Sequence, residues 1–159
     1  MGGVNAARMS RWAIACLLGA TALTPFGAVA QTWVGTTSDY GSTSNWSPAT
    51  VPTFSSTATF TGTTASAAVD ISTNGRIGAL VFDSGAQAYT FTIVGSSASL
   101  SIEGAGITNN SAQVQTFKVS EGSSSVSFFN SANAGNARFE LTNEGALTFT
   151  DNSKAGTAT

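Results

Sequence analysis

A self-similarity of 21-residue period restricts the fold of this chain more than any other feature. Ser127 to Ala137 (Ser-Phe-Phe-Asn-Ser-Ala-Asn-Ala-Gly-Asn-Ala) aligns with Thr148 to Ala158 (Thr-Phe-Thr-Asp-Asn-Ser-Lys-Ala-Gly-Thr-Ala). Phe128 thus matches Phe149, Gly135 matches Gly156 and Ala137 matches Ala158. A unit of this length cannot bury its own apolar side and acquires a core by stacking on a neighbour. Its makeup, β-formers with Gly, Asn and Ser and few charges, selects strand over helix. The expectation is an all-β protein, a parallel β-helix (solenoid) of about six coils. The alternative is a β-sandwich, which has the same density of short strands but needs no echo between neighbouring segments.

Alternation along the chain agrees with strands. Tyr89, Phe91 and Ile93 fall on every second residue, with Thr90 and Thr92 between them. Leu100 and Ile102, Phe117 and Val119, Val126 and Phe128, Phe139 and Leu141, and Leu147 and Phe149 repeat the pattern. A period of two sends the apolar set to one face and the Ser/Thr set to the other. Short strands are also expected at Thr57 to Thr61, Ala68 to Ile71 and Gly78 to Asp83. Asp83-Ser84-Gly85, Asn109-Asn110-Ser111 and Asn143-Glu144-Gly145 carry turn chemistry between the runs. Asn and Ser in matching turns suit side-chain ladders in which each amide bonds its copy one coil away.

Residues 1–30 have the organisation of a cleavable signal peptide. Arg8 and Arg11 make a positive start, Trp12 to Leu23 is mostly apolar, and Ala28-Val29-Ala30 is a small-residue cleavage site before Gln31. Cys16, the single cysteine, falls inside that leader. An exported chain starting at Gln31 then has no Cys and no His, so its stability comes from burial and backbone pairing, not disulfides. Arg76, Lys118, Arg138 and Lys154 are its only basic residues against eight acids, which leaves no basic patch for nucleic acid. Neither a cofactor fingerprint nor a set of transition-metal ligands is present in the sequence, and no cofactor is expected. Without His, a Ser-His-Asp triad is excluded.

Trp33-Val34-Gly35, Ser38-Asp39-Tyr40, Asn45-Trp46, Val51-Pro52 and Ala58-Thr59-Phe60 follow one another just after the cleavage site. This succession resembles the start of passenger domains of Gram-negative autotransporters. The likeness continues through Ile77 to Phe82, Tyr89 to Ile93, Leu100 to Ile102, Gly104 to Ser111 and Gln115 to Phe117. Residues 147–158 are similar to the autotransporter-associated β-strand repeat. The resemblance implies a secreted β-helix carried outward by a C-terminal outer-membrane barrel, of which this chain shows no strands. The expected organisation is a signal peptide over 1–30, an N-terminal cap over 31–60 and β-helix coils over 61–159, incomplete at the C-terminus. Localisation would be the cell surface or the extracellular space as part of a longer protein, and the periplasm for a truncated form. Any link to the outer membrane would be through the missing barrel.

Trp33, Tyr40 and Trp46 are the foremost candidate site residues. Aromatic faces stack on sugar rings, but their clustering at the expected cap also suits plugging of the first coil. Asp70, Asp83, Glu140 and Glu144 are candidates for glycoside chemistry, which needs paired acids across a cleft. They lack partners at a 21-residue offset and read as solvated or turn residues; Arg76 with Asp70 is the faint pair a lyase would want. The functional expectation is a non-catalytic surface passenger, structural or adhesive, meeting glycans or surface proteins through its rod face. The alternatives are the N-terminal scaffold of a glycan-acting enzyme with catalytic coils beyond Thr159, and an inactive remnant.

Overall fold

The computed structural model describes residues 29–62 and 64–159. The expected leader lies outside them except for Val29 and Ala30. Eleven strands follow in order: β1 Ala30–Trp33, β2 Trp46–Ser47, β3 Thr57–Phe60, β4 Ala68–Ile71, β5 Gly75–Phe82 and β6 Thr90–Ile93, then β7 Ser99–Asn109, β8 Thr116–Val119, β9 Ser125–Phe128, β10 Arg138–Leu141 and β11 Ala146–Phe149. One short 3-10 turn, Thr43–Asn45, precedes β2. A seven-stranded sheet has the order β11-β9-β7-β5-β3-β1-β2 and a four-stranded sheet the order β10-β8-β6-β4. Successive rungs pair in parallel throughout; β2, antiparallel to β1, is the exception. The protein is a parallel β-solenoid, and the parallel pairing rules out a sandwich of hairpins.

The larger sheet bends. Gly75 to Ile77 pair with Leu100 to Ile102, and Ala79 to Phe82 with Gly106 to Asn109, with a register break between Ile77 and Ala79. Gly78 and Gly104 stand at that corner, where the backbones approach too closely for side chains. A Cβ on Gly104 would lie 2.6 Å from the Gly78 carbonyl oxygen, and one on Gly78 would lie 2.8 Å from that of Ser56.

Inward positions stack by kind. Val69, Phe91, Phe117 and Phe139 follow one another in register, as do Ile71, Ile93, Val119 and Leu141. Ile77, Ile102, Phe128 and Phe149 form a third column. Phe91 lies 4.5 Å from Phe117, Phe117 lies 5.2 Å from Phe139, and Phe128 lies 5.0 Å from Phe149, all nearly parallel. Each ring thus becomes the floor for the next, the burial that a single coil cannot supply.

The sequence echo maps onto this stacking: Phe128 pairs with Phe149, Asn133 bridges Lys154, and Gly135 and Gly156 both take positive φ, 63° and 64°. The period is not uniform, however. Register partners are 21 residues apart at Phe128–Phe149, 22 at Phe117–Phe139, 26 at Phe91–Phe117 and 27 at Leu80–Ile107. Longer turns reduce the expected six coils to about five. The expected amide ladder is also replaced by bonds to backbone. Asn133 Oδ1 accepts from Gly135 N–H at 2.8 Å, and Asn130 Nδ2 donates to the Glu103 carbonyl at 2.8 Å.

Candidate functional site

The first coil departs most from the others. Asp39 bridges Asp70 and Thr57 pairs with Ala79, so the chain uses 18 residues from Asp39 to Thr57 where the next coil uses nine. The excess forms an excursion containing the 3-10 turn, β2 and a loop through Val51 and Phe54. Asn45, fully buried, ties its base. Asn45 Oδ1 accepts from Thr36 Oγ1 at 2.6 Å and Thr37 N–H at 2.8 Å, and Nδ2 donates to Thr37 Oγ1 at 2.8 Å and the Asp39 carbonyl at 2.7 Å. Both hydrogens of its amide nitrogen are thus used inside the fold.

Trp33, Tyr40 and Trp46 come together beneath this excursion, exposed by 0, 4 and 2%. Trp46 meets Trp33 edge-on at 5.0 Å and Tyr40 at 5.2 Å, and Phe60 of the next rung lies 5.9 Å from Trp46. Trp33 Nε1 donates to the Ser66 carbonyl at 3.1 Å and Trp46 Nε1 to the Tyr40 carbonyl at 2.9 Å. Their ring faces cover the first coil and are turned away from solvent. The Tyr40 hydroxyl, by contrast, is buried with no hydrogen-bond partner, and burial pushes its pKa up.

Above this cluster the excursion and the turn from Ile71 to Arg76 enclose a cleft of about 330 Å³. Tyr40, Val51 and Phe54 of the excursion and Thr73, Asn74 and Arg76 of the turn and β5 are among its lining residues. Phe54 is 55% exposed, and the Arg76 guanidinium sits 5.2 Å from its ring centroid. Arg76 binds Glu103 in a two-point fork, Nε to Oε1 and Nη2 to Oε2, each 2.7 Å. The hydrogen bond from Arg76 holds the Glu103 carboxyl below its ordinary pKa. Thr53, next to Phe54, and Thr73 add hydroxyls to the rim.

Sequence reasoning passed over Phe54 and paired Arg76 with the wrong acid. Arg76 lies beside Glu103, 27 residues on and two beyond its register partner Ser101, so a uniform 21-residue offset could not show the match. Glu140 likewise has partners, Lys118 at 3.8 Å one coil before it and Arg138 at 3.1 Å on its own strand. Asp70 is fixed through its backbone, its N–H donating to Ser38 O at 2.6 Å and its carbonyl accepting from Tyr40 N–H at 2.9 Å. A second buried amide, Gln115, was also missed. It accepts from Tyr89 N–H at 2.9 Å and donates to the Gln87 carbonyl at 3.2 Å, bridging adjacent coils.

Among the described residues no group of three or more His, Cys, Asp or Glu is arranged to hold a metal ion, and no helix is long and apolar enough to cross a membrane. Comparison of the chain with models of known families, with curated proteins and with solved structures gives no match.

Proposed function

We propose that this solenoid is a non-catalytic passenger segment of an exported, autotransporter-like surface protein, with a structural or adhesive task. One observation carries the reading: the chain spends its apolar residues on an internal column and turns hydroxyls outward in register. Ser99 pairs with Ser125, Ser101 with Ser127 and Thr90 with Thr116. Such a surface has little charge and gives many similar weak contacts, which gain strength through multivalency rather than from one reactive centre. The leader pattern supplies the export step. Loss of residues 1–30 removes Ala30 from the strand and the bond from Thr57 N–H to Val29 O, while Gln31 and Thr32 keep their register with Ala58 and Thr59.

The test uses the native source cells. Mass spectrometry of the isolated protein is expected to give Gln31 as the first residue, and antibodies against the coils are expected to label intact cells. Recovery of a Met1 form confined to the cytoplasm overturns the proposal.

A further inference from the structure

We infer that the cleft between the first-coil excursion and the Ile71–Arg76 turn binds a neutral oligosaccharide, with Phe54 as its stacking platform. This deepens the surface-passenger reading by naming a ligand class and a site, and it rests on that reading for its biological setting. Phe54 is large, apolar and 55% exposed, beside the cleft and not in the core. The guanidinium of Arg76 lies over its ring. A sugar ring offers what the remaining aromatic surface takes best, a face of weakly positive C–H groups against the negative π-face. A cleft of about 330 Å³ lies within the size range of small-ligand sites. Phe54 also borders a second depression of about 210 Å³, lined by Gly78 and Gly104 at the corner of the solenoid. A ring standing between two hollows suits consecutive sugar units.

Polar chemistry around the platform narrows the ligand further. Thr53, Thr73 and Asn74 are uncharged and exposed, with donors and acceptors together. Arg76 uses two of its five N–H donors on Glu103, so the pair offers donors and carboxylate lone pairs side by side, as neighbouring hydroxyls require. The fork also cancels the charge, which leaves no net field to attract an ionic ligand. The competing occupant is an extended peptide added along Gly75 to Ile77, which pair with β7 but not with β3.

The experiment titrates the purified, folded chain with cellohexaose, laminarihexaose, maltohexaose and mannohexaose, using calorimetry and backbone amide shifts. An uncharged Ser/Thr/Phe peptide forms the comparison arm. At least one saccharide is expected to saturate and to shift the amides of Phe54, Thr73, Asn74 and Gly75. Phe54→Ala should weaken it about tenfold and Phe54→Trp should restore it. Thr73→Arg, which fills the cleft from an exposed position, should abolish it and serves if Phe54→Ala fails to fold. The inference is overturned if no saccharide binds at about 10 mM, if Phe54→Ala leaves the affinity unchanged, if binding survives Thr73→Arg, or if the peptide binds in preference. Because the titration uses purified chain, its failure leaves export and surface display to be decided by the cell-labelling experiment alone.

Discussion

Truncating a ring in the middle of one stacked column and a ring at the end of another separates stacked coils from a single indivisible core. Phe91 is fully buried, stacks on Phe117 at 4.5 Å, and meets Phe60 at 5.2 Å and Phe82 at 5.9 Å edge-on. Phe91→Ala removes the buried ring and opens a cavity that coils on both sides cannot fill, at a cost of about 4–5 kcal/mol. That is a large part of the roughly 5–15 kcal/mol of a typical domain. Phe149 is half-buried and stacks on Phe128 at 5.0 Å. Its truncation forfeits less than half as much, about 1–2 kcal/mol. In a quasi-one-dimensional array that loss should also stay local. Urea denaturation followed by circular dichroism should move the main transition by about 2 M for Phe91→Ala, for a slope of about 2 kcal/mol per molar. Phe149→Ala should barely move it, while hydrogen exchange shows lost protection over residues 138–159 and unchanged protection over 57–93. Equal costs for the two variants, or deprotection reaching the first coils from Phe149→Ala, would falsify the nearest-neighbour account.

Three further outcomes follow from individual contacts. Asn45→Ala removes all four bonds made by the buried amide and should cost about 2 kcal/mol, with faster amide exchange at Thr37 and around the excursion; exchange unchanged there would show that the loop is held by something else. Gly104→Ala presses a methyl on the Gly78 carbonyl and should lower the melting temperature by several degrees, whereas Gly85→Ala, with nothing within 4 Å, should change it little; similar melting temperatures would remove the corner argument. Arg76→Ala should reveal the pH dependence of the Glu103 fork. A carboxyl depressed in the folded state contributes stability above its unfolded pKa and loses it as pH falls through the folded value. The melting-temperature gap between wild type and Arg76→Ala should therefore be present at pH 7, shrink in high salt, and close in acid below the ordinary carboxylate range. A gap that persists in acid contradicts the assignment.

Which parts of this molecule the sequence displays depends on whether a position repeats. Phe128 and Phe149, Gly135 and Gly156, and the alternation through Phe91 and Ile93 are copies of one local solution, so comparing the chain with itself exposes them. Strand positions were legible for the same reason: β3, β4, β8 and β9 fall where alternation puts them. The long strands β5 and β7 were legible only in part, at Gly78 to Asp83 and at Leu100 and Ile102, because each turns a corner at a glycine and the period-two signal breaks there. Arg76 and Glu103 were invisible as a pair because their separation is a property of one coil. Phe54 carries no pattern at all; it became notable only when its neighbours were seen to leave it exposed while nearly every other ring is covered. Trp33, Tyr40 and Trp46 show the converse. Their identity suggested sugar stacking, but they are buried edge-on against one another and Phe60, and large aromatics near a chain start are as useful for closing a coil as for contacting a ligand.

The places where the repeat fails are also the places where the candidate site stands. Between Asp39 and Thr57 the first coil carries nine residues more than the next, and these supply Tyr40, Val51 and Phe54. Between Ile77 and Ala79 one residue intervenes, whereas three separate Ile102 from Gly106, and the insertion begins with Glu103, the partner of Arg76. Neither addition is needed for stacking, since the later rungs maintain register with 21- or 22-residue coils. A longer loop adds little to the entropy of closing a coil, so a solenoid can carry such additions at small cost in stability. Here two of them, from coils that are neighbours in space, meet at one corner and place an exposed ring, a neutralised charge pair and a cleft together. Stability resides in the repeated positions and the proposed recognition in the departures from them, which is why a substitution at Phe54 should spare the fold that a substitution at Phe91 breaks.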